Sequence, residues 1–168
     1  MIRAGKIEDA EKISELKINN YKITYKNIIL DKDLENMSLE EEKQKYLKGF
    51  EKRKILVYEE NDNILGYIYY GKRKNNIDSL REIQGEVYAI YVDINQKNKG
   101  IGTKLIKQAL NELINEYEKV ILWCATDNIN SKEFYKKRGF KESVIVESEM
   151  GEKFISETAF VYELKDTY

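Results

Sequence analysis

The fold is decided by the stretch Lys97-Asn98-Lys99-Gly100-Ile101-Gly102, which joins a run of strand-forming residues to a strongly apolar helical pattern. A turn of this kind leaves the first N–H groups of the helix without acceptors, at the positive end of the helix dipole. Glycine also lets the backbone approach a ligand where a Cβ would obstruct it. The stretch therefore predicts an anion-binding site, and a phosphate is the typical ligand of such a site.

Three kinds of phosphate site compete for this turn. A dinucleotide fingerprint needs another glycine three residues after Gly102, where the chain has Leu105. A Walker loop needs Gly-Lys-Ser/Thr, whereas the order here is Gly102-Thr103-Lys104. The third interpretation is a site for the pyrophosphate of coenzyme A.

A second motif follows the first and reads Asn128-x-x-Ser131-x-x-Phe134-Tyr135-x-x-x-Gly139-Phe140. The two motifs in this order resemble those of the GNAT superfamily, the acyl-CoA-dependent N-acetyltransferases. In that family the glycine loop reads Arg/Gln-x-x-Gly-x-Gly/Ala. Lys97 takes its first position here, and Asn98 stands where glycine is common. The resemblance covers the order of elements over nearly the whole chain and is vaguest before Ile55.

Hydrophobic periodicity predicts the element order β-α-α-β-β-β-α-β-α-β-β. The predicted helices cover residues 8–23, 38–50, 100–117 and 130–138, and the predicted strands after the first helices cover residues 55–60, 64–70, 86–92, 120–124, 141–147 and 158–164, with a polar stretch over residues 72–84. Ser38 with Glu41, and Asn130 with Glu133, are the expected capping pairs. The class is mixed α/β (α+β), and the resemblance implies a central, mostly antiparallel sheet of about seven strands flanked by four helices.

Composition and charge limit the remaining possibilities. The chain has 168 residues, which predicts one domain over residues 1–168. With 29 basic and 30 acidic residues, neither a nucleic acid nor a membrane is an expected partner. The single cysteine and the lack of a signal-peptide core favour a cytoplasmic location. The oligomeric state stays open, and a homodimer is compatible with the sequence.

The resemblance implies acetyl-CoA as co-substrate and no metal. The pyrophosphate would bind the N–H groups of residues 98–103, with Lys97 as a point charge. The pantetheine arm would lie along the strand before the loop like an added strand, and Asn128 would also bind it. The cofactor contacts expected in full are Ile90, Tyr91, Val92, Lys97, Asn98, Lys99, Gly100, Ile101, Gly102, Thr103, Asn128, Ser131, Phe134 and Tyr135.

The same resemblance assigns proton donation to the leaving thiolate to Tyr135. A phenol has an ordinary pKa of about 10, so it is protonated at neutral pH. The competing interpretation is that Phe134 and Tyr135 are simply a core pair. The N–H of Ile90 or Tyr91 would stabilise the oxyanion.

The general base is the more open assignment. The chain has no histidine. Glu86 begins the strand that should face the thioester, and it can accept a proton if burial raises its pKa. The alternative, that Glu86 points to solvent at a strand end, is equally favoured. Glu82 is a weaker candidate for the base.

Cys124 ends an apolar strand, which favours a core cysteine over a covalent nucleophile.

The acceptor pocket would lie near the aromatic residues Tyr21, Tyr25, Tyr46 and Phe50. Acidic residues 31–42 would suit a polyamine, but a solvated helix start explains them equally simply.

The function that follows is transfer of an acetyl group from acetyl-CoA to a primary amine, by direct attack in a ternary complex. The acceptor is a small molecule, polyamine-like for instance, or a peptide. The alternative is a non-catalytic acyl-CoA-binding sensor or interaction module on the same fold. A nucleotide-binding Rossmann domain is a more distant possibility.

Overall fold

The structure, a computed structural model, describes residues 1–74 and 77–165 and confirms the mixed α/β class. The strands are β1 Ile2–Ala4, β2 Lys54–Glu60, β3 Asn63–Lys72, β4 Gly85–Val92, β5 Lys119–Ala125, β6 Lys141–Met150 and β7 Lys153–Glu163. The helices are α1 Ala10–Thr24, α2 Asp31–Glu35, α3 Leu39–Phe50, α4 Ile101–Leu113 and α5 Ile129–Lys136. Residues 75–76 of the predicted polar stretch and residues 166–168 of the predicted domain lie outside the described residues.

The seven strands form one sheet in the order β1-β2-β3-β4-β5-β7-β6. Every neighbouring pair is antiparallel except β4 with β5, as the prediction of a mostly antiparallel mixed sheet requires. The apolar stripe of α4 packs on one face of the sheet, against residues such as Ile68 and Leu122. Helices α1 and α3 cover the other face, against Val57 and Tyr67. The sheet is therefore buried on both faces near its centre.

The parallel pair β4 and β5 opens partway along its length. Only residues 85–87 of β4 pair with residues 120–122 of β5. Beyond this point β5 continues to pair with β7, while β4 pairs with β3 alone. The register between β3 and β4 also shifts here, with Tyr69 opposite Ala89 but Tyr70 opposite Val87. This bulge at Tyr88 bends β4 at the point where the two strands separate.

Strands β2 and β3 form a hairpin. Asn61 and Asp62 both have positive φ, at 50° and 59°. A two-residue turn with both central residues in the left-handed region matches the twist of the flanking strands, and Asn and Asp tolerate that region well.

Three local details differ from the sequence predictions. The short helix α2 adds a fifth helix that the apolar pattern does not reveal, since Leu34 is its one buried residue. Helix α4 ends at Leu113 rather than at residue 117, although residues 114–117 continue as turns. The predicted cap of the second motif is wrong, because α5 starts at Ile129 and its N-cap is Asn128.

The cap of α3 is the one that the sequence predicts correctly. The Glu41 N–H donates to the Ser38 hydroxyl over 3.3 Å. At α5 the corresponding acceptor is the Asn128 carboxamide oxygen, which lies 3.2 Å from the Ser131 nitrogen. In both cases a short polar side chain accepts from the N–H three residues later, which is the usual N-cap arrangement.

Candidate functional site

The gap between β4 and β5 opens into a cleft of about 1240 Å³. We call one wall the loop side, formed by residues 90–103 and 128–138. The opposite wall, the helix side, is formed by α1, α3 and the residues Arg53, Tyr69, Lys74 and Tyr88. The two walls share only β4, which contributes Tyr88 to the helix side and residues 90–92 to the loop side.

The glycine loop on the loop side presents unpaired N–H groups to the cleft. The first hydrogen bond of α4 runs from the Lys104 nitrogen to the Gly100 oxygen over 3.0 Å. The N–H groups of residues 101–103 therefore have no helical acceptor. Asn98 and Gly100 have φ angles of 65° and 79°. Apart from glycine, asparagine is the residue type that best tolerates the left-handed region of φ and ψ. This explains how Asn98 can stand at a position where glycine is common.

The loop is held against α5 by close packing. A Cβ added to Gly102 would lie 3.2 Å from the Phe134 ring, which is a tight contact, so space rather than φ favours glycine there. The guanidinium of Arg138 lies over the same ring, with its carbon 3.5 Å from the ring centre. Its Nε donates to the Thr103 hydroxyl over 3.1 Å, and Nη1 donates to the Phe134 carbonyl over 2.7 Å. Arg138 thus ties the first turn of α4 to α5.

Sequence reasoning missed Arg138, although the residue lies inside the second motif. A cation directly before Gly139-Phe140 was the available signal. Burial lowers the pKa of Arg138, but an arginine stays charged at any physiological pH. The loop side therefore carries a fixed positive charge beside the free N–H groups of α4.

Strand β4 contributes an open main-chain edge to the same wall. Ile68 lies opposite Ile90, Tyr67 opposite Tyr91 and Gly66 opposite Val92, all on the β3 side. On the β5 side these three residues of β4 have no partner in the described sheet. An extended ligand can pair with such an edge as an additional strand.

All of the cofactor residues predicted from the motifs line the cleft except Lys99. The Lys99 ammonium turns away to the Gln96 carboxamide, 2.8 Å distant. Asn128 both lines the cleft and caps α5, so the competing interpretation of a turn residue is also correct. Its carboxamide oxygen is occupied by the cap, and its amide nitrogen remains available to a ligand.

Tyr135 lines the cleft on the loop side. It is 9% exposed and packs against Phe134, Phe140 and Phe160. Both interpretations of this residue therefore apply, since the ring belongs to the core while the side chain reaches the cleft. Burial, with a smaller contribution from nearby Cys124, raises the pKa of the Tyr135 phenol, which keeps it protonated.

Glu86 is buried, with 6% of its surface exposed, so the expectation that it points to solvent at a strand end is wrong. One carboxylate oxygen accepts from the Lys74 backbone nitrogen over 3.0 Å. Burial raises the pKa of Glu86, and the Lys74 hydrogen bond and neighbouring cations oppose that shift without cancelling it. Glu86 does not itself line the cleft but lies directly behind Lys74 and Tyr88, which do.

Cys124 is a core cysteine that also reaches the cleft. Its side chain is 5% exposed, and its thiol approaches the Ala125 carbonyl at 3.4 Å. Burial raises the pKa of the Cys124 thiol to about 12. An activated nucleophile needs the opposite shift, so the arrangement favours the core interpretation.

The aromatic residues expected on the helix side separate into two groups. Tyr21 and Tyr25 stack with ring centres 4.1 Å apart and line the cleft, as does Tyr46. Phe50 packs against Tyr46 at 5.8 Å between ring centres but does not line the cleft.

The acidic residues of this region do not form an open acidic pocket. Asp31, Asp33 and Glu35 lie on α2, outside the cleft lining. Glu42 does line the cleft, but it forms ion pairs with both Lys17 and Lys45. The interpretation of these acids as solvated or internally paired charges fits better than a polyamine pocket.

Residues 1–74 and 77–165 contain no group of three or more His, Cys, Asp or Glu side chains placed to hold a metal ion. None of their helices is long and apolar enough to cross a membrane.

Comparison with known proteins identifies the family of this chain. Residues 24–140 match the acetyltransferase (GNAT) family. An uncharacterised N-acetyltransferase of Methanocaldococcus jannaschii is 36% identical over 73 residues, which are 43% of this chain and 31% of that protein. The chain thus spans under a third of that relative's length.

Solved structures share the fold across the whole chain. The smu.2055 protein of Streptococcus mutans superposes with a TM-score of 0.77 at 24% identity, over 98% of this chain and 99% of its own. The yncA protein of Salmonella typhimurium, solved with its cofactor acetyl-CoA, has a TM-score of 0.70 at 19% identity, over 99% of this chain and 94% of its own. From the match over residues 24–140, the chain belongs to the acetyltransferase (GNAT) family, the acetyl-CoA-dependent enzyme class that its two motifs predict.

Proposed function

We propose that this protein transfers an acetyl group from acetyl-CoA to a primary amine by direct attack in a ternary complex. One observation carries the proposal: a single cleft combines the free edge of β4, the unpaired N–H groups at the start of α4, and Tyr135. These are a surface for the extended pantetheine arm, a site for the pyrophosphate, and a proton donor for the thioester sulfur.

The loop side supplies donor binding and charge stabilisation. The N–H groups of residues 98–103, with Lys97 and Arg138 nearby, would hold the pyrophosphate. The main chain of residues 90–92 would pair with the pantetheine arm, and the N–H of Ile90 or Tyr91 would donate to the developing oxyanion. A donor placed this way brings its sulfur toward Tyr135.

Proton movement assigns roles to two side chains. Tyr135 donates its phenolic proton to the sulfur as the carbon–sulfur bond breaks, so free CoA leaves as the thiol. Glu86 accepts the proton that the amine loses. Because Glu86 lies behind the surface of the cleft, a water molecule would carry that proton to its carboxylate. The raised pKa of Cys124 supports direct attack over an acetyl-cysteine intermediate.

The test is release of the CoA thiol from acetyl-CoA in the presence of pooled polyamines, aminoglycosides, amino acids and short peptides. Tyr135→Phe keeps the ring and its packing, and should lower turnover about 100-fold or more while acetyl-CoA affinity changes less than about 2-fold. Tyr58→Phe, which removes a hydroxyl outside the cleft, is the matched control.

Unchanged turnover in Tyr135→Phe would remove Tyr135 from the acid role. Tight acetyl-CoA binding without thiol release in any pool would favour the non-catalytic acyl-CoA sensor instead. Weak acetyl-CoA binding in the parent protein would contradict both functions.

A further inference from the structure

Two cations and two aromatic rings form a compact cluster on the helix side. The guanidinium carbon of Arg53 lies 5.0 Å from the ring centres of both Tyr69 and Tyr88. The Lys74 ammonium lies 4.3 Å from the Tyr88 ring centre. The two rings meet edge to face with their centres 5.6 Å apart. All four side chains line the cleft.

The charges of this cluster are not neutralised by the part of the chain that the structure describes. Lys17 and Lys45, also on the helix side, share the carboxylate of Glu42. By contrast, the contacts of Arg53 and Lys74 are with aromatic rings, and neither forms an ion pair with a described residue. Glu86 is buried and already accepts from the Lys74 backbone. Glu157 lines the cleft and Glu147 lines the neighbouring groove with Lys74, but neither forms an ion pair with Arg53 or Lys74. The cluster therefore presents two cations that have no ion-pair partner among the described residues.

Two buried donors that line the same cleft lack acceptors as well. The Tyr69 hydroxyl and the Trp123 indole nitrogen are inaccessible to water and donate a hydrogen bond to no described residue. Both residues line the cleft, and Trp123 also shares a shallower groove with Lys74. Buried polar groups are almost always hydrogen-bonded, so an unpaired pair beside two free cations points to a missing acceptor of hydrogen bonds.

We propose that the helix side recognises an amine acceptor that also carries an oxyanion, a carboxylate or phosphonate on a carbon near the amine. Arg53 and Lys74 would bind the oxyanion, and the Tyr69 hydroxyl and Trp123 N–H would supply further donors. The amine of the same molecule would then lie where a water molecule can carry its proton to Glu86. This inference rests on the proposed function for the role of the amine, but not for the binding of the anion.

The same charges disfavour a polyamine. A second or third ammonium group would have to lie beside Arg53 and Lys74, where like charges repel. An amino acid or an aminophosphonate brings one negative group for the cations and one amine for acetylation. Selection of the acceptor would thus come from charge complementarity at one end of the cleft.

Binding can be measured without turnover because Trp123 is the only tryptophan in the chain. Its fluorescence would be titrated, in CoA-saturated protein, with L-leucine, with the phosphonate analogue of leucine, and with 3-methylbutylamine, which lacks any anion. A second set would use phenylalanine, its phosphonate analogue and phenethylamine. Saturable binding of a carboxylate or phosphonate member at least about 10-fold tighter than the matching amine is expected.

Substitutions test which residues cause the tighter binding of the anionic ligands. Arg53→Gln and Lys74→Gln should each weaken binding of the anionic member by about 10- to 100-fold, the size expected for one charge-assisted hydrogen bond, and barely change that of the plain amine. Arg53→Lys should restore part of the loss, and Tyr69→Phe should cost less because it removes a neutral donor. Lys22→Gln, an equal charge change on the exposed face of α1, is the control.

The outcomes separate the two proposals. Equal affinity for the anionic and plain members of both sets would overturn the anion site, whatever the protein acetylates. Preferential acetylation of plain amines or polyamines would overturn it too. Discrimination in fluorescence without CoA thiol release would support the anion site and defeat the proposed acetyl transfer. Preference for the phosphonate over the carboxylate would identify which oxyanion the site fits.

Discussion

The two walls of the cleft are built from different parts of the polypeptide. The loop side is mostly main chain: an open strand edge, unpaired N–H groups at a helix start, and a glycine that fits against Phe134. The helix side is mostly long side chains, such as those of Arg53 and Lys74, which reach the cleft from loops and strand ends. A main-chain site is specified by backbone shape, whereas a side-chain site is specified by residue identity.

This difference has a consequence for specificity. Side chains on the helix side can be exchanged without disturbing the backbone that forms the loop side. One donor site can therefore serve many acceptors, which is why fold alone does not name the acceptor. Substitutions should accordingly separate into those that change donor binding and those that change acceptor use.

The largest effect is expected at Glu86, which lies behind the helix side. Glu86→Gln should lower kcat/KM about 100-fold, because the amide cannot accept the amine proton. Burial raises the pKa of Glu86, and only the ionised form is a base. Activity of the parent should therefore fall as pH falls through this raised value, and the variant should lack that limb in its pH–rate profile.

Glu82→Gln tests the weaker candidate for the same role. If Glu82→Gln loses activity while Glu86→Gln keeps the pH–rate profile of the parent, the general base is the exposed carboxylate of Glu82 and not Glu86. Identical profiles of the parent and Glu86→Gln at every pH would remove Glu86 from catalysis.

A smaller effect, confined to the loop side, is expected at Arg138. Arg138→Gln removes the bonds to Thr103 and Phe134 and one positive charge beside α4. The Kd for acetyl-CoA should rise about 10-fold, with acceptor KM nearly unchanged. Calorimetric titration with acetyl-CoA, without an acceptor, would measure this Kd. Lys141→Gln makes the same change of charge on β6 and serves as the control. An equal rise in the Kd for acetyl-CoA in this control would mean that the effect of Arg138→Gln comes from net charge alone.

On the helix side, Glu42 is expected to contribute to stability. Burial alone would raise the pKa of Glu42, but hydrogen bonds from Lys17 and Lys45 outweigh it and lower the pKa. Glu42→Gln should lower the free energy of unfolding by about 1 kcal/mol at pH 7. Because the folded pKa is depressed, this contribution is present above the unfolded value of about 4.3 and is lost as pH falls through the folded value.

Urea unfolding of the parent and Glu42→Gln at several pH values would show the difference shrinking below about pH 4. Glu40→Gln, which breaks an exposed pair with Lys43 and keeps an oxygen that can accept from Gln44, should cost clearly less than Glu42→Gln. A difference that persists unchanged in acid would mean that packing, and not the ion pairs, sets the contribution of Glu42.

The smallest effect on activity is expected at Cys124, where the two walls meet. Cys124→Ala should keep kcat/KM within about 3-fold, since a thiol with a pKa near 12 is not a nucleophile at neutral pH. The parent should also react slowly with iodoacetamide. A loss of about 100-fold or more would instead require a covalent acetyl-cysteine step.

Most of the loop side could be predicted from the sequence, because its parts are local. Gly100 and Gly102 lie within one turn of each other, and the apolar repeat of α4 follows immediately. The spacing within the second motif likewise places Asn128 and Tyr135 on one short helix. The cap of α5 was placed two residues too late because several asparagines near its start are equally good caps by sequence.

The sequence by itself therefore determined the order of elements along the chain, the glycine loop and the family, since periodicity, turn residues and helix starts act over a few neighbouring positions. Tertiary structure alone decided the order of strands in the sheet, that Glu86 is buried, that β4 and β5 separate after residue 87, and that Arg53, Tyr69, Lys74 and Trp123 line one cleft. Those residues come from separate segments, and no local pattern records which side chains a folded sheet will bring together.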